Sequence, residues 1–321
     1  MFKKITALLL SGVLVAGMTT AFAETPAPVQ TASVTRELSA KATEWNGKTT
    51  LKAGSSYVVS KNLTVSKKVT LPKGTTLTVK NNAKLTVGTK GTLNVKGTLS
   101  VAKGASVAVS GKLYEYKTGR MQVSGTVSLG KQSSITVNGQ LTINSTGTIK
   151  GTPKGLKLAD VAVVTITGKN SCSKLTKAIE QQEIGALLTD FFTLSFKDGD
   201  YYGAVKRAYP AEYVQLLDSL FSAEGLTLKE YCTKYGEALK VQYAEEGLDI
   251  STVTDVTVAI NKLTALGASK LGSYSAIASG SAPDKGYTVN VKLTLKTKDG
   301  TKTDTSDVVC IKTGGKWYLV G

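Results

Sequence analysis

The 321-residue chain contains no histidine. This absence excludes catalytic sites that use an imidazole base, and it excludes zinc sites with histidine ligands. The three cysteines, Cys172, Cys232 and Cys310, are too few for a disulfide scaffold and lack the spacing of a metal site. One bond between Cys232 and Cys310 is a candidate, which would leave Cys172 unpaired. We therefore expect neither a metal site nor a cofactor.

Acidic residues are almost missing from residues 46–158, where 18 Lys and Arg accompany one acid, Glu115. Residues 1–45 carry a net charge of +1 and residues 159–321 one of −1, so the net charge of +17 lies on residues 46–158. A single acid excludes the paired carboxylates of glycoside hydrolysis in this segment. The chain also lacks a Gly-rich phosphate loop between a strand and a helix. We therefore expect a non-enzymatic protein, with the question open only for the C-terminal part.

Residues 63–149 are a run of short steps in which two apolar residues flank a third residue, such as Leu93-Asn94-Val95. From Leu93 onward the steps start alternately six and eight positions apart, so the sequence repeats at every fourteenth position. One glycine series with this period is Gly97, Gly111, Gly125 and Gly139. A looser series of small residues is Gly91, Ala105, Gly119, Ser133 and Gly147. Strands this short bury only two side chains each and need stacked neighbours, so the repeat predicts an all-β parallel β-solenoid.

The repeat leaves the length of one solenoid coil open. A flattened coil of one fourteen-residue repeat would stack identical positions on one another. A three-sided coil of three steps, about 20 to 22 residues, would give more interior space. A meander of hairpins is a further alternative, because Lys96-Gly97, Ser110-Gly111 and Asn138-Gly139 are suitable two-residue turns. In each case glycine marks a bend that needs a positive φ or a close approach of two backbones.

Glu115 falls on an inward-facing position of the repeat, where burying a carboxylate is costly. We expect the strand to bulge there so that a tyrosine turns inward. The alternative is that Glu115 forms a site with Tyr114, Tyr116 and Arg120.

The basic solenoid predicts attraction to polyanions, although lysines on edges and bends also prevent sheets from aggregating. We expect anionic glycans of the cell envelope or of a host as partners. Nucleic acid is not an expected partner, because the chain is predicted to be exported and aromatic stacking platforms are sparse. The candidate ligand-binding residues are Lys96, Lys103, Lys112, Lys117, Arg120, Lys131, Tyr114 and Tyr116.

Residues 1–23 have the features of a secretory signal peptide. Lys3 and Lys4 precede an apolar stretch at residues 5–18, and Ala21-Phe22-Ala23 is a suitable cleavage site. We therefore expect a secreted, extracellular protein that has no membrane span after cleavage, and association with the cell surface stays open.

From Lys174 the apolar spacing changes from strand-like to helical. A long helix is predicted to end near Gly199, Pro210 begins another, and Thr227 and Glu230 form a capping box for the next. The predicted strands that follow are residues 253–263, 287–297, 303–312 and 316–320. Helices before an antiparallel sheet predict an α+β domain.

The multidomain arrangement has five predicted parts. The boundaries are residues 1–23 for the signal peptide, 24–45 for a flexible linker, 46–158 for the solenoid, 159–171 for a cap or linker and 172–321 for the α+β domain. Trp45 and the apolar residues up to Val59 are predicted to cap the first end of the solenoid.

The C-terminal pattern of helices and a curved sheet that ends in Gly315-Lys316-Trp317-Tyr318 resembles the NTF2-like (cystatin-like cone) superfamily of small secreted bacterial modules. The repeat half resembles the Gly-x-Leu-x-Val solenoids of exported proteins from Gram-positive gut bacteria. The NTF2-like resemblance implies a pocket between the helices and the sheet. The pocket candidates are Asp190, Tyr201, Tyr202 and Trp317, although Asp190 and the two tyrosines also fit a helix end and a solvated loop.

These observations predict a secreted structural or binding protein. Its basic solenoid would bind anionic glycopolymers, and its NTF2-like domain would serve binding or assembly with a protein partner. The alternative is a small-ligand carrier or an enzyme that acts in the NTF2-like pocket.

Overall fold

The computed structural model describes residues 42–278, 280 and 282–320. The predicted signal peptide at 1–23 lies outside the described residues, as does the predicted linker up to residue 41. The described residues divide into two units, 42–182 and 183–320. The boundary between the units lies inside helix α1, Ser173–Phe196.

The first unit is built from 18 short strands. The strands are β1 (Thr43–Glu44), β2 (Ser56–Val59), β3 (Leu63–Val65), β4 (Lys68–Leu71), β5 (Thr76–Val79), β6 (Lys84–Val87), β7 (Thr92–Val95), β8 (Thr98–Val101), β9 (Ser106–Val109), β10 (Lys112–Glu115), β11 (Arg120–Val123), β12 (Thr126–Leu129), β13 (Ser134–Val137), β14 (Gln140–Ile143), β15 (Thr148–Gly151), β16 (Gly155–Leu158), β17 (Val163–Ile166) and β18 (Lys169–Ser171).

Every third strand from β2 onward belongs to the same sheet. Sheet A has the order β1-β2-β5-β8-β11-β14-β17, sheet B the order β18-β15-β12-β9-β6-β3 and sheet C the order β16-β13-β10-β7-β4. All neighbours within these sheets are parallel, for example β5 with β8 and β6 with β9. Strands β2–β16 therefore form five complete three-sided coils. This confirms the predicted parallel β-solenoid, and the hairpin meander is wrong because consecutive strands belong to different sheets.

The coil is longer than the fourteen-residue sequence repeat. Leu77 pairs with Leu99 and Leu99 with Met121, twenty-two positions later each time, whereas Leu93 pairs with Leu113 after twenty positions. The flattened coil of one repeat is therefore wrong, and the three-sided alternative is correct. The sequence repeat can fill this coil because most strands carry a similar apolar-x-apolar pair, so strands from different halves of the repeat can stack on one another.

The corners between the sheets accommodate the alternation of short and long steps in the sequence. Between β7 and β15 corners of two residues alternate with corners of four. The four-residue corners close with a backbone hydrogen bond, such as that from Gly91 N to Gly88 O at 2.8 Å. The second and third residues of such a corner face solvent, as Lys90 does. From residue 83 to residue 147 the last residue of every corner is Gly, Ala or Ser, because the backbone of the neighbouring coil lies against it. A Cβ on Gly111 would lie 2.2 Å from Gly88 O and 2.3 Å from Gly91 O.

Leucine, valine and isoleucine ladders fill the solenoid interior, and most of these side chains are fully buried. Trp45 is only 2% exposed at the first end and donates a 2.9 Å hydrogen bond from Nε1 to Thr49 O. Its burial agrees with the predicted cap and leaves no exposed ring face for a sugar. At the other end Cys172 and Leu175 join the same core.

The second unit contains helices and one antiparallel sheet. Helix α1 is followed by α2 (Tyr201–Ala208), α3 (Ala211–Ala223), α4 (Leu228–Glu245), a 3₁₀ turn (Ile250–Thr252) and α5 (Ala268–Gly272). Sheet D has the order β19 (Val253–Ala265), β20 (Lys285–Thr297), β21 (Gly300–Thr313) and β22 (Lys316–Leu319). The predicted order of helices before an antiparallel sheet is confirmed.

Local signals explain the ends of several of these elements. Thr227 and Glu230 form the predicted capping box at α4, with Glu230 N donating to Thr227 Oγ1 and Thr227 N donating to Glu230 Oε2. Pro210 is the N-cap of α3, one residue before the helix. All three cysteines are buried free thiols, so the candidate bond between Cys232 and Cys310 is absent.

We predict that Gly111→Ala destabilises the solenoid, because its methyl group would collide with two carbonyl oxygens of the preceding coil. Overpacking of this kind costs about 1–3 kcal/mol, and thermal unfolding followed by circular dichroism measures it. Gly155→Ala is the matched control, since a Cβ there meets only Ser134 Oγ at 3.5 Å. Equal melting temperatures for the two variants would contradict the close-approach explanation.

Candidate functional site

The solenoid corners carry most of its basic side chains. We define the AB corner as residues 60–62, 80–83, 102–105, 124–125, 144–147 and 167–168, which join sheet A to sheet B. The BC corner is residues 66–67, 88–91, 110–111, 130–133 and 152–154. The CA corner is residues 72–75, 96–97, 116–119, 138–139 and 159–162.

The predicted ligand-binding residues are spread over all three corners. Lys96, Lys117 and Tyr116 lie at the CA corner, and Arg120 follows it as the first residue of β11. Lys131 lies at the BC corner and Lys112 directly follows it, whereas Lys103 lies at the AB corner. Tyr114 points outward from the middle of sheet C and is 37% exposed. The structure therefore brings the residues at and near the CA corner together as one aromatic-basic group. Lys112 and Lys131 lie apart from this group at the BC corner, and Lys103 lies apart from it at the AB corner.

The aromatic-basic group is organised by stacking of successive coils. Lys96 N donates to Leu71 O and Tyr116 N donates to Val95 O, so Lys96 and Tyr116 occupy equivalent positions in adjacent coils. The Lys96 ammonium lies 4.8 Å from the centroid of the Tyr116 ring. This distance is suitable for a cation–π interaction.

Tyr114 and Tyr116 complete the group with an edge-to-face ring pair, whose centroids are 4.6 Å apart. Lys117 and Arg120 are exposed beside them. Ring faces next to cations can contact the apolar face of a sugar and an anionic substituent at the same time.

A second basic group, which we call the BC column, was only partly recognised in the sequence. It consists of the exposed lysines at or directly after the BC corner. Its members are Lys67, Lys68, Lys90, Lys112, Lys131 and Lys154. The signal that could have identified it is the occurrence of a lysine in every coil, but this becomes visible only with the three-sided coil.

Charge around the solenoid is almost entirely positive. Among residues 42–158 the acids are Glu44 and Glu115, and Glu115 is fully buried. Within the described part of the chain, the ion pairs that we observe lie in the second unit, for example between Arg207 and Asp190. The exposed lysines of the solenoid therefore have few acidic side chains to offset their charge, and a bound anion would supply that compensation.

Glu115 lies in the interior and not in a bulge. Its strand β10 pairs without interruption with β7 and β13, where Glu115 stands opposite Val95 and Val137. The expected bulge is therefore wrong: the strand keeps its register, Tyr114 remains outside, and Glu115 is 0% exposed. Neither carboxyl oxygen has a hydrogen-bond partner among the described residues. The alternative site with Tyr114, Tyr116 and Arg120 is not formed either, because those side chains lie on the outer surface.

The fold makes room for Glu115 but does not compensate its charge. A Cβ on Gly119 would lie 2.3 Å from Val95 O and 2.7 Å from Glu115 Cγ, so a side chain at this corner position would collide with the preceding coil and with Glu115. Burial raises the pKa of Glu115 to about 7, and the nearby backbone N–H groups of Gly139 and Met121 oppose this rise only partly. The side chain is therefore largely a neutral acid below neutral pH.

The predicted pocket residues of the second unit do not share one site. Asp190 forms a 2.9 Å ion pair with Arg207. Trp317 is 5% exposed and donates from Nε1 to Glu183 Oε2 at 2.8 Å, an interaction that the sequence did not indicate. Trp317 therefore has a structural role in fixing β22 against α1.

Tyr201 and Tyr202 line a cavity of about 90 Å³ between α2 and α4, together with Asp200. Asp200 is the N-cap of α2 and accepts a 2.7 Å hydrogen bond from Gly203 N. Burial raises the pKa of Tyr201 to about 12, so its phenol stays neutral and is a poor base. Sites for organic ligands usually measure about 300–1,000 Å³, so this cavity is much smaller.

We predict that the solenoid loses stability as pH rises from about 4.5 to 7, because Glu115 keeps its proton in the folded state and loses it in the unfolded state. Above pH 7 the ionisation of Glu115 destabilises the folded state fully, and the rise in its pKa corresponds to about 3 kcal/mol of unfolding free energy. Glu115→Gln cannot ionise and should be more stable than the wild type at pH 8 but similar at pH 4.5. Urea unfolding across this pH range measures the difference, and a pH-independent difference would contradict the assignment.

In the described ranges, no group of three or more His, Cys, Asp or Glu residues is arranged to hold a metal ion. None of the helices in those ranges is long and apolar enough to cross a membrane. No protein-family model, curated protein or solved structure matches this chain.

Proposed function

We propose that this protein is a secreted, non-enzymatic binding protein whose basic solenoid holds anionic glycopolymers of the cell envelope or of a host. The observation that carries the proposal is the charge of the solenoid: 18 basic residues and a single acid at residues 46–158, with that acid buried. A rigid stack with one sign of charge produces a field that attracts polyanions. The proposed ligands are acidic glycans and phosphodiester-linked polymers such as teichoic acid.

Protection of sheet edges does not account for the positions of these lysines. The strands with a free edge are those at the two ends of the stack, such as β4 and β16. Lys90, Lys112 and Lys131 belong to the second, third and fourth coils, whose strands are paired on both sides. Edge lysines prevent sheets from joining, but lysines in paired coils have no such edge to protect.

The aromatic-basic group at the CA corner gives the proposed surface a position for a sugar ring. Tyr114 is exposed and packs edge-to-face with Tyr116, and Lys96 and Arg120 supply positive charge. Flat apolar rings beside cations suit a sugar that carries an acidic substituent.

For the second unit we propose the NTF2-like fold and a role in binding or assembly. The order of α1–α4 followed by the four strands of sheet D supports this proposal. The alternative function, a ligand carrier or an enzyme in the pocket of this unit, has weaker support. The cavity beside Tyr201 is small, and the raised pKa of this phenol does not suit a base.

We predict that the full chain binds an anionic glycan such as heparin and that salt weakens the complex. If about five lysines contact anions, raising salt from 50 to 200 mM should weaken binding about 100-fold. Isothermal titration calorimetry measures the dissociation constants, with neutral dextran as the control ligand. Absence of binding to heparin and to teichoic acid, or binding that does not change up to 0.5 M salt, would refute the proposal.

We also predict that Tyr114→Ala weakens glycan binding about 3- to 10-fold without changing its salt dependence, because stacking on an aromatic ring contributes about 0.5–1.5 kcal/mol. Thr136→Ala is the matched control, since Thr136 occupies the position equivalent to Tyr114 in the next coil. The same titrations compare both variants. Equal affinities for the two variants would show that Tyr114 does not contact the glycan.

A further inference from the structure

The BC column differs from the other two corners in its continuity. Each of the five complete coils contributes at least one lysine to it. The coils are joined by backbone hydrogen bonds, for example from Thr92 N to Lys67 O and from Lys112 N to Gly91 O. The spacing between successive coils is therefore that of paired strands, about 4.8 Å, and the column extends over about 19 Å.

The other corners lose their basic residues along the stack. At the AB corner, residues 124–125 and 144–147 of the fourth and fifth coils contain Ser, Gly, Asn and Thr but no lysine. At the CA corner the corresponding positions are Asn138-Gly139 and residues 159–162, which include Asp160. Only the BC corner presents an uninterrupted positive line through all the complete coils.

We propose that the BC column is the line along which a linear polyanion binds, parallel to the solenoid axis and with about one anionic group beside each coil. This inference rests on the proposed function and adds to it the location, the direction and the repeat of the ligand. The ligand chemistry follows from the side chains. Lysine ammonium groups are point charges on flexible side chains with three donors each, so they can donate hydrogen bonds to sulfate, carboxylate or phosphodiester groups at variable angles.

The environment of the column supports this assignment. Its lysines are exposed, and no acidic residue lies within the BC corner. Lys154 O accepts a hydrogen bond from Lys174 Nζ, but among the described residues no acid forms an ion pair with a side chain of the column. A polyanion would therefore neutralise charges that the protein itself leaves uncompensated.

The test compares charge removal at two corners of the full chain. The triple variant Lys90→Gln, Lys112→Gln and Lys131→Gln removes three charges from the column. If each of these lysines contacts one anion, the affinity of the triple variant for heparin oligosaccharides at 0.1 M salt should fall about 100-fold. The slope of log affinity against log salt concentration should become shallower by about 2. Melting temperatures within a few degrees of the wild type establish that the variant is folded.

The matched control removes the same number of charges at or directly after the AB corner by Lys61→Gln, Lys80→Gln and Lys84→Gln, all of which are exposed. The affinity of this control variant for heparin oligosaccharides should fall less than about 5-fold, because only the general electrostatic field is reduced. Equal losses of affinity in the two triple variants would show that the BC column is not the binding line, while the proposed function would still stand. Absence of salt-dependent binding in the wild type would overturn both.

Ligand length provides a second readout. Affinity should rise with the length of size-fractionated heparin oligosaccharides until they extend over about 19 Å and then change little. Affinity that is independent of length would contradict lengthwise binding. The same titrations with purified teichoic acid distinguish the two sources of anion, since preferred binding identifies either the phosphodiester polymer or the acidic glycan as the better ligand.

Discussion

The hydrogen bonding of one coil to the next is the constraint on which the rest of the solenoid depends. Each backbone segment must approach the previous coil closely at three corners, and the carbonyl oxygens there leave no space for a side chain at positions such as Gly97, Gly111 and Gly125. Where a corner has four residues instead of two, the two additional residues protrude into solvent as a short turn. These turns carry Lys73, Lys90 and other basic side chains, so the architecture that closes the core also displays the positive charge.

The side chains that form the core and those that display the positive charge therefore lie on different parts of the same coil. The inward pairs, such as Leu99 and Val101, form a dry core whose composition is almost uniform. The exposed residues of the corners can vary without disturbing this core, whereas glycines such as Gly97 and Gly111 cannot, because carbonyl oxygens of the preceding coil lie against them. Glu115 is the exception, because it places an ionisable group in the interior without a partner and makes stability depend on pH.

The sequence was sufficient to predict the solenoid and the α+β order of the second unit, because Leu-x-Val periodicity and the capping box at Thr227 are local signals. The coil length could not be decided, since similar apolar pairs in most strands are compatible with several ways of stacking the strands. The placement of Glu115 was predicted wrongly because the cost of burying a carboxyl suggested a bulge, whereas regular pairing of β10 prevails. Lysine alignment along the BC corner depends on the coil length and was therefore only partly recognised.

Lysine footprinting would show which solenoid lysines a bound polyanion covers. The full chain would be acetylated briefly with and without heparin, and the modification of each lysine would be measured by mass spectrometry. If a polyanion binds along the BC column, heparin should protect Lys90, Lys112 and Lys131 much more than Lys61 and Lys80. Protection confined to lysines of the second unit, or equal protection at all solenoid corners, would contradict binding along the BC column.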